Sequence, residues 1–133
     1  MLRVALYIRV STDEQAIHGE SIATQRDALT FYAKSNNMNI TDYYIDEGYT
    51  ATNLKRPNLQ RLLNDIKENK IDMVLFTKID RWSRGVRNYY KIQDILDSHK
   101  VNWKTIFEDY DTSTASGRLH INIMLSVAEN ESA

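Results

Sequence analysis

Four short apolar runs alternate with amphipathic helical stretches, and that alternation leaves the chain few folds. Residues 2–8 form the first run, with Val4, Leu6 and Ile8, and read as a strand buried on both faces. Ser21 is placed to cap a helix over 22–34, whose Ile22, Ala28, Leu29, Tyr32 and Ala33 keep a helical period and which Asn36 and Asn37 end. Residues 40–45 give a second strand. Pro57 suits the first turn of a helix, where its missing N–H costs nothing. Leu59, Leu62, Leu63 and Ile66 then follow at i, i+3, i+4 and i+7, the clearest stripe in the chain. Residues 71–77 and 101–107 supply two more strands, with a helix over 89–99 between them. This order predicts an α/β fold with a mostly parallel central sheet flanked by helices.

Residues 118–131 support two readings. Leu119, Ile121 and Ile123 alternate with polar neighbours, as in a strand. Met124, Leu125, Val127 and Ala128 carry the apolar content past the alternation. As a helix the segment is apolar on more than one face, which implies burial against a partner subunit.

Composition narrows the class. In 133 residues, 42% are hydrophobic and 26% charged, the pattern of one globular domain. The absence of cysteine excludes disulfides and thiolate chemistry, and suits a reducing compartment. No apolar run approaches the roughly 18 residues of a membrane span. The three histidines, at 18, 99 and 120, form no local metal cluster. A net charge of −1 argues against gripping nucleic acid by bulk charge, so any such contact needs focused cations.

Polar groups gather at the predicted strand ends. Tyr7, Arg9 and Ser11 share one side of the first strand, while Ile8 and Val10 take the other. Asp46 follows the second strand. Lys78, Asp80, Arg81 and Arg84 follow the third, within the basic segment 78–87. Open α/β sheets bind ligands at the carboxyl ends of their strands, so these groups are expected to meet on one rim. If Asp80 begins a helix, Asp80 and Arg84 are i, i+4 neighbours, and Arg81 and Arg84 share a face that suits a phosphodiester. The plainer alternative, an exposed helix start with one salt bridge, leaves the crowding of cations unexplained. Arg56, ahead of Pro57, and Gln25, in the first helix, are each more ordinary when taken alone. No histidine lies near Ser11, so a serine–histidine–aspartate triad is unsupported. Several arginines without an obvious base suit a phosphoryl transition state better than an acyl one.

These residues resemble the catalytic domain of the serine recombinases, the resolvase, invertase and large serine integrase family. The likeness rests on Tyr-x-Arg-Val-Ser at 7–11, Gln25, Asp46, Arg56-Pro57 before the leucine stripe, and Asp80-Arg81-x-x-Arg84. The loop of Asp111, Thr112, Ser113 and Thr114 with Gly117, and the apolar segment after it, also fit. The long polar loop over 13–20 and the Arg-Pro-x-Leu-x-x-Leu-Leu pattern are most like the large integrases.

The resemblance implies that Ser11 attacks a DNA phosphodiester, forms a 5′-phosphoserine link and releases a 3′-hydroxyl, with no metal and no cofactor. Arg9, Arg56, Arg81 and Arg84 would clamp the phosphate, assisted by Gln25 and Asp80. Tyr7, Asp46 and Lys78 are expected to contact the substrate. The implied partners are double-stranded DNA and further copies of the chain, as dimers that pair into tetramers, with no membrane. The implied setting is the cytoplasm, in a bacterial or phage-encoded system. A catalytic domain is expected over 1–115, and a truncated oligomerisation helix over 116–133 that favours helix over strand there. An arginine that the family carries in that helix is not present, and a DNA-binding domain is expected beyond it. Two other classes remain open: a noncatalytic oligomerisation module, and a small-molecule phosphoesterase on the same scaffold.

Overall fold

The computed structural model describes residues 1–11 and 20–132. The stretch 12–19, read above as a loop, lies outside the described residues. The elements run β1 (Arg3–Val10), α1 (Ile22–Ser35), β2 (Asn39–Glu47), α2 (Pro57–Lys67), β3 (Met73–Phe76), α3 (Ile79–Trp82), α4 (Val86–Ser98), β4 (Asn102–Thr105) and α5 (Ala115–Ser132). The sheet is parallel throughout, in the order β2-β1-β3-β4.

Side-chain alternation along β1 divides the core in two. Val4, Leu6 and Ile8 pack with Leu29 and Ala33 of α1 and with Met73 and Leu75 of β3. Ala5 and Tyr7 face the other way, toward the α2 stripe of Leu59, Leu62, Leu63 and Ile66, and toward Ile92 and Leu96 of α4. Helices therefore cover both faces, as the parallel sheet requires. Ser21 caps α1 as expected, its Oγ accepting from the Thr24 N–H at 3.0 Å. Helices α1, α2 and α4 end alike. Asn37, Asn69 and Lys100 take positive φ of 56°, 60° and 57°. The next N–H then reaches back to Ala33, Asp65 and Leu96 at 2.9, 3.1 and 2.9 Å. Each stop turns the chain directly into the following strand.

The ambiguous C-terminal segment is a helix. Its apparent alternation is two stripes on one helix: Ile121 and Leu125 are buried in the core, while Leu119, Ile123 and Val127 stand exposed. Gly117 lets the start of α5 close against the preceding loop, since a Cβ there would lie 1.9 Å from the Asp111 carbonyl oxygen.

The sheet's entry edge is latched by charge. Arg3 Nη2 and Asp72 Oδ1 stand 3.0 Å apart, the Arg3 N–H donates to Asp72 Oδ2 at 2.9 Å, and the Asp72 N–H donates to the Arg3 carbonyl at 2.8 Å. The Arg3 side chain, and then its backbone N–H, hold the Asp72 carboxyl below its usual value of 3.8. A carboxyl depressed in the folded state stabilises above its unfolded pKa, and that contribution is lost as pH falls through the folded value. Asp72→Asn is therefore expected to be less stable than the parent near neutral pH. The gap should close below about pH 4 when unfolding is followed by urea titration at several pH values. A gap that persists unchanged into acid would show the latch is not electrostatic.

Candidate active site

The carboxyl end of β1 is a topological switch point. The chain leaves β1 for β2 on one side, and β3 pairs with β1 on the other. Such crevices are where open α/β sheets bind ligands. Ser11 directly follows β1 and is partly buried. Three arginines, on β1, at the start of α2 and in α3, are buried, at 1% exposure for Arg9, 0% for Arg56 and 5% for Arg81. Guanidiniums are rarely buried unless other groups hold them, and here main-chain oxygens do much of that work.

Arg9 donates to the Tyr49 carbonyl and to the Asp80 carbonyl, both at 2.9 Å, so the end of β1 is tied to the β2–α2 loop and to α3. Arg56 donates through Nε to the Asn53 carbonyl at 3.2 Å, and through Nη1 to Tyr7 Oη at 3.2 Å and the Arg81 carbonyl at 3.4 Å. Its Nη2 is buried and has no hydrogen-bond partner among the described residues. A buried guanidinium nitrogen left so is an expensive feature unless something else comes to it. Gln25 Nε2 donates to the Arg9 carbonyl at 3.1 Å and to the Glu20 carbonyl at 3.0 Å, which fixes α1 against the end of β1. Gln25 Oε1 is also buried without a partner among the described residues.

Beneath these groups lies a second layer. Tyr7 Oη donates to Asp46 Oδ2 at 2.8 Å. The same carboxylate accepts the N–H groups of Asn58 and Leu59, each at 2.9 Å, and so caps the start of α2. Burial is the largest influence on the Tyr7 phenol and drives its pKa well above the usual tyrosine range. Arg56 opposes that rise, and Asp46 adds to it. Tyr7 is a neutral donor in this network at any ordinary pH. Tyr7 and Asp46, expected above to touch substrate, are both buried, and their polar groups are engaged with Arg56 and α2.

The segment after β3 departs from the helical arithmetic. Helix α3 is only four residues long, and Ser83 is extended at φ −159° and ψ 143°. Arg84 therefore lies beyond the helix, and Asp80 and Arg81 are not its neighbours on a helical face. Packing gives the reason. Trp82 stacks on Phe76 with ring centroids 4.8 Å apart and meets Tyr7 edge-on at 5.5 Å, which pulls the chain into the core and ends the turn. Nor is the start of α3 open for an anion, since the Ile79 N–H donates to Glu108 Oε1 at 2.7 Å. Arg81 is held inward. Arg84 is exposed, and its N–H donates to the Ala51 carbonyl at 3.3 Å, beside the loop that carries Arg56. Lys78 is half-exposed, and its Nζ lies 3.5 Å from Glu20 Oε1.

Residues 4–133 match the family described as the resolvase N-terminal domain. The chain belongs to that family. It is a serine recombinase catalytic domain, and solved structures agree. The N-terminal catalytic domain of TP901-1 integrase is 42% identical, with a TM-score of 0.85 over 97% of this chain and 96% of that one. The transposon Tn917 resolvase of Enterococcus faecalis is 34% identical over 94% of this chain and 60% of its own length. The DNA-invertase hin of Salmonella typhimurium is 33% identical over 94% of this chain and 58% of its own length. The chain thus spans a little over half the length of these two curated relatives.

Within this resolvase-type domain, the rim brings Arg9, Gln25, Arg56, Asp80 and Arg81 into one bonded cluster, with Tyr7 and Asp46 under it. Sequence reasoning missed Glu20, whose carboxylate sits among these cations, because nothing in a polar loop marks which distant charge it will meet. It also missed the Tyr49 carbonyl that holds Arg9, since main-chain acceptors leave no trace in residue type.

Proposed function

We propose that this chain performs the DNA cleavage and rejoining of a site-specific recombinase, with Ser11 as nucleophile. Ser11 Oγ forms a bond to the scissile phosphorus while the bond from phosphorus to the 3′ oxygen breaks. The serine proton is lost, the 3′ oxygen leaves as a hydroxyl, and the 5′ side remains as a phosphoserine ester. Bond energy is kept in the ester, so a 3′-hydroxyl from another strand reverses the step without an added energy source. The observation that carries this reading is the burial of Arg9, Arg56 and Arg81 at the strand end bearing Ser11, with Arg56 Nη2 unpartnered among the described residues. Preorganised guanidiniums stabilise charge that builds on a phosphoryl group, and cannot lose their protons to it. Arg84 completes the clamp from the open side. Gln25 and Asp80 position it, and Lys78 meets the DNA backbone. Tyr7 and Asp46 act through Arg56 rather than on the substrate.

The implied partners are double-stranded DNA and other copies of the chain, as dimers pairing into tetramers. The exposed stripe of Leu119, Ile123 and Val127 on α5 suits such association, with residues 116–133 beginning the oligomerisation helix. Action on DNA in the cytoplasm belongs to this reading. Among the described residues no helix is long and apolar enough to cross a membrane.

The test joins the chain to a sequence-specific DNA-binding domain and supplies a duplex whose core is nicked, so that rejoining is prevented. The expected result is a protein–DNA adduct that survives denaturing electrophoresis, with the phosphodiester found on Ser11 by peptide mass spectrometry. An adduct on a different residue, or none, rejects the reading.

A further inference from the structure

We propose that Glu20 is an internal occupant of the anion pocket, seated where a phosphodiester will later sit, so that the resting site is closed by its own carboxylate. The identity of the displacing anion rests on the function proposed above.

The Glu20 side chain is largely buried, at 13% exposure, and lies between two cations from the segment after β3. Its Oε1 is 3.5 Å from Lys78 Nζ and 3.9 Å from Arg81 Nη2. Neither carboxylate oxygen has a hydrogen-bond partner among the described residues. A settled charge-assisted bond would be shorter, about 2.8 Å. The carboxylate has therefore given up its water without gaining hydrogen bonds in return, which makes it a weak occupant. Asp80 Oδ1, at 3.7 Å from Arg81 Nε, competes for the same guanidinium and loosens the pairing further.

The main chain fixes Glu20 in this place. It immediately precedes the Ser21 cap of α1, and its carbonyl is held by the Gln25 amide that also holds the Arg9 carbonyl. One side chain thus ties Glu20 to the strand end that carries Ser11. An entering phosphate oxygen can take forked bonds from Arg81 that the Glu20 carboxylate does not make, so exchange is favourable once substrate is present.

A merely structural Glu20, holding Lys78 and Arg81 in place, predicts the opposite response to its removal. The probe is inorganic phosphate, titrated against the chain at constant ionic strength and followed by NMR shifts of the arginine side chains. Glu20→Gln is expected to bind phosphate about tenfold more tightly than the parent. Glu20→Asp keeps the charge but shortens its reach by one methylene, and is expected to gain about threefold; it carries the test if the glutamine variant folds poorly. Adding Lys78→Ala to Glu20→Gln should return affinity toward the parent value. Unchanged or weaker phosphate binding in both single variants overturns the proposal. The readout needs no DNA chemistry. Tighter phosphate binding with no Ser11 adduct on DNA would uphold the occupied pocket and reject only the recombinase reading.

Discussion

Ser11→Ala is expected to abolish the covalent DNA adduct while leaving the fold and phosphate binding intact. Ser11 lies just past the last paired residue of β1 and is only partly buried, so losing its hydroxyl should change stability by no more than about 1.5 kcal/mol. The chemistry has no such tolerance. The buried cations of the site are arginines, and arginine can neither attack phosphorus nor hold a covalent intermediate. The loss should exceed about 10⁴-fold in the rate of adduct formation, the scale seen when a nucleophile is removed and only electrostatic stabilisation remains. Arg56→Lys separates the two contributions. It keeps a positive charge but loses the fork that reaches the Asn53 carbonyl through Nε and Tyr7 Oη and the Arg81 carbonyl through Nη1, and is expected to slow adduct formation by about 10²- to 10³-fold. Quantifying the trapped adduct over time in both variants checks the pair. Adduct formed by Ser11→Ala at more than a hundredth of the parent rate would remove Ser11 from the reaction.

How much of this was legible beforehand divides along a physical line. The strands and the α2 stripe follow from local periodicity, and the Ser21 cap from one side chain and its next turn, so residue order sufficed for them. The meeting of Arg9, Asp46 and Arg81 on one rim followed from topology, because parallel strands put their carboxyl ends together. Contacts set by packing were not legible. Counting residues from Asp80 put Arg81 and Arg84 on one helical face, but Trp82 is buried in a stack on Phe76 and the helix stops there. The same limit applies to Tyr7 and Asp46. Their place in the sequence marked them as near the site, yet only the fold shows them buried and bonded to each other and, through Tyr7, to Arg56. The alternation over residues 118–123 was misleading in the other direction. It is produced by two i, i+4 stripes, one buried and one exposed, which residue types alone do not distinguish.

Asp46→Ala is expected to cost about 3–5 kcal/mol, the range for breaking a buried charged network from one side. That is a large part of the roughly 5–15 kcal/mol that holds a domain of this kind together. The carboxylate does three things at once. It accepts the first free N–H groups of α2 from Asn58 and Leu59, it accepts the hydrogen bond of the Tyr7 hydroxyl, and it supplies negative charge one step from Arg56. Arg56 occupies the cap position of α2 without a side-chain cap bond, so no other group replaces Asp46 there. Alanine leaves two amides and a phenol buried without acceptors, and each such group costs about 1–3 kcal/mol. Tyr7→Phe removes only the link between the layers. It should cost about 1 kcal/mol while still slowing adduct formation, because Arg56 then loses the bond that orients its fork. Urea unfolding of the three proteins measures the first effect and adduct formation the second. If Asp46→Ala lowers stability by less than about 1 kcal/mol, the carboxylate is not what holds α2 and Arg56 in register with the end of β1.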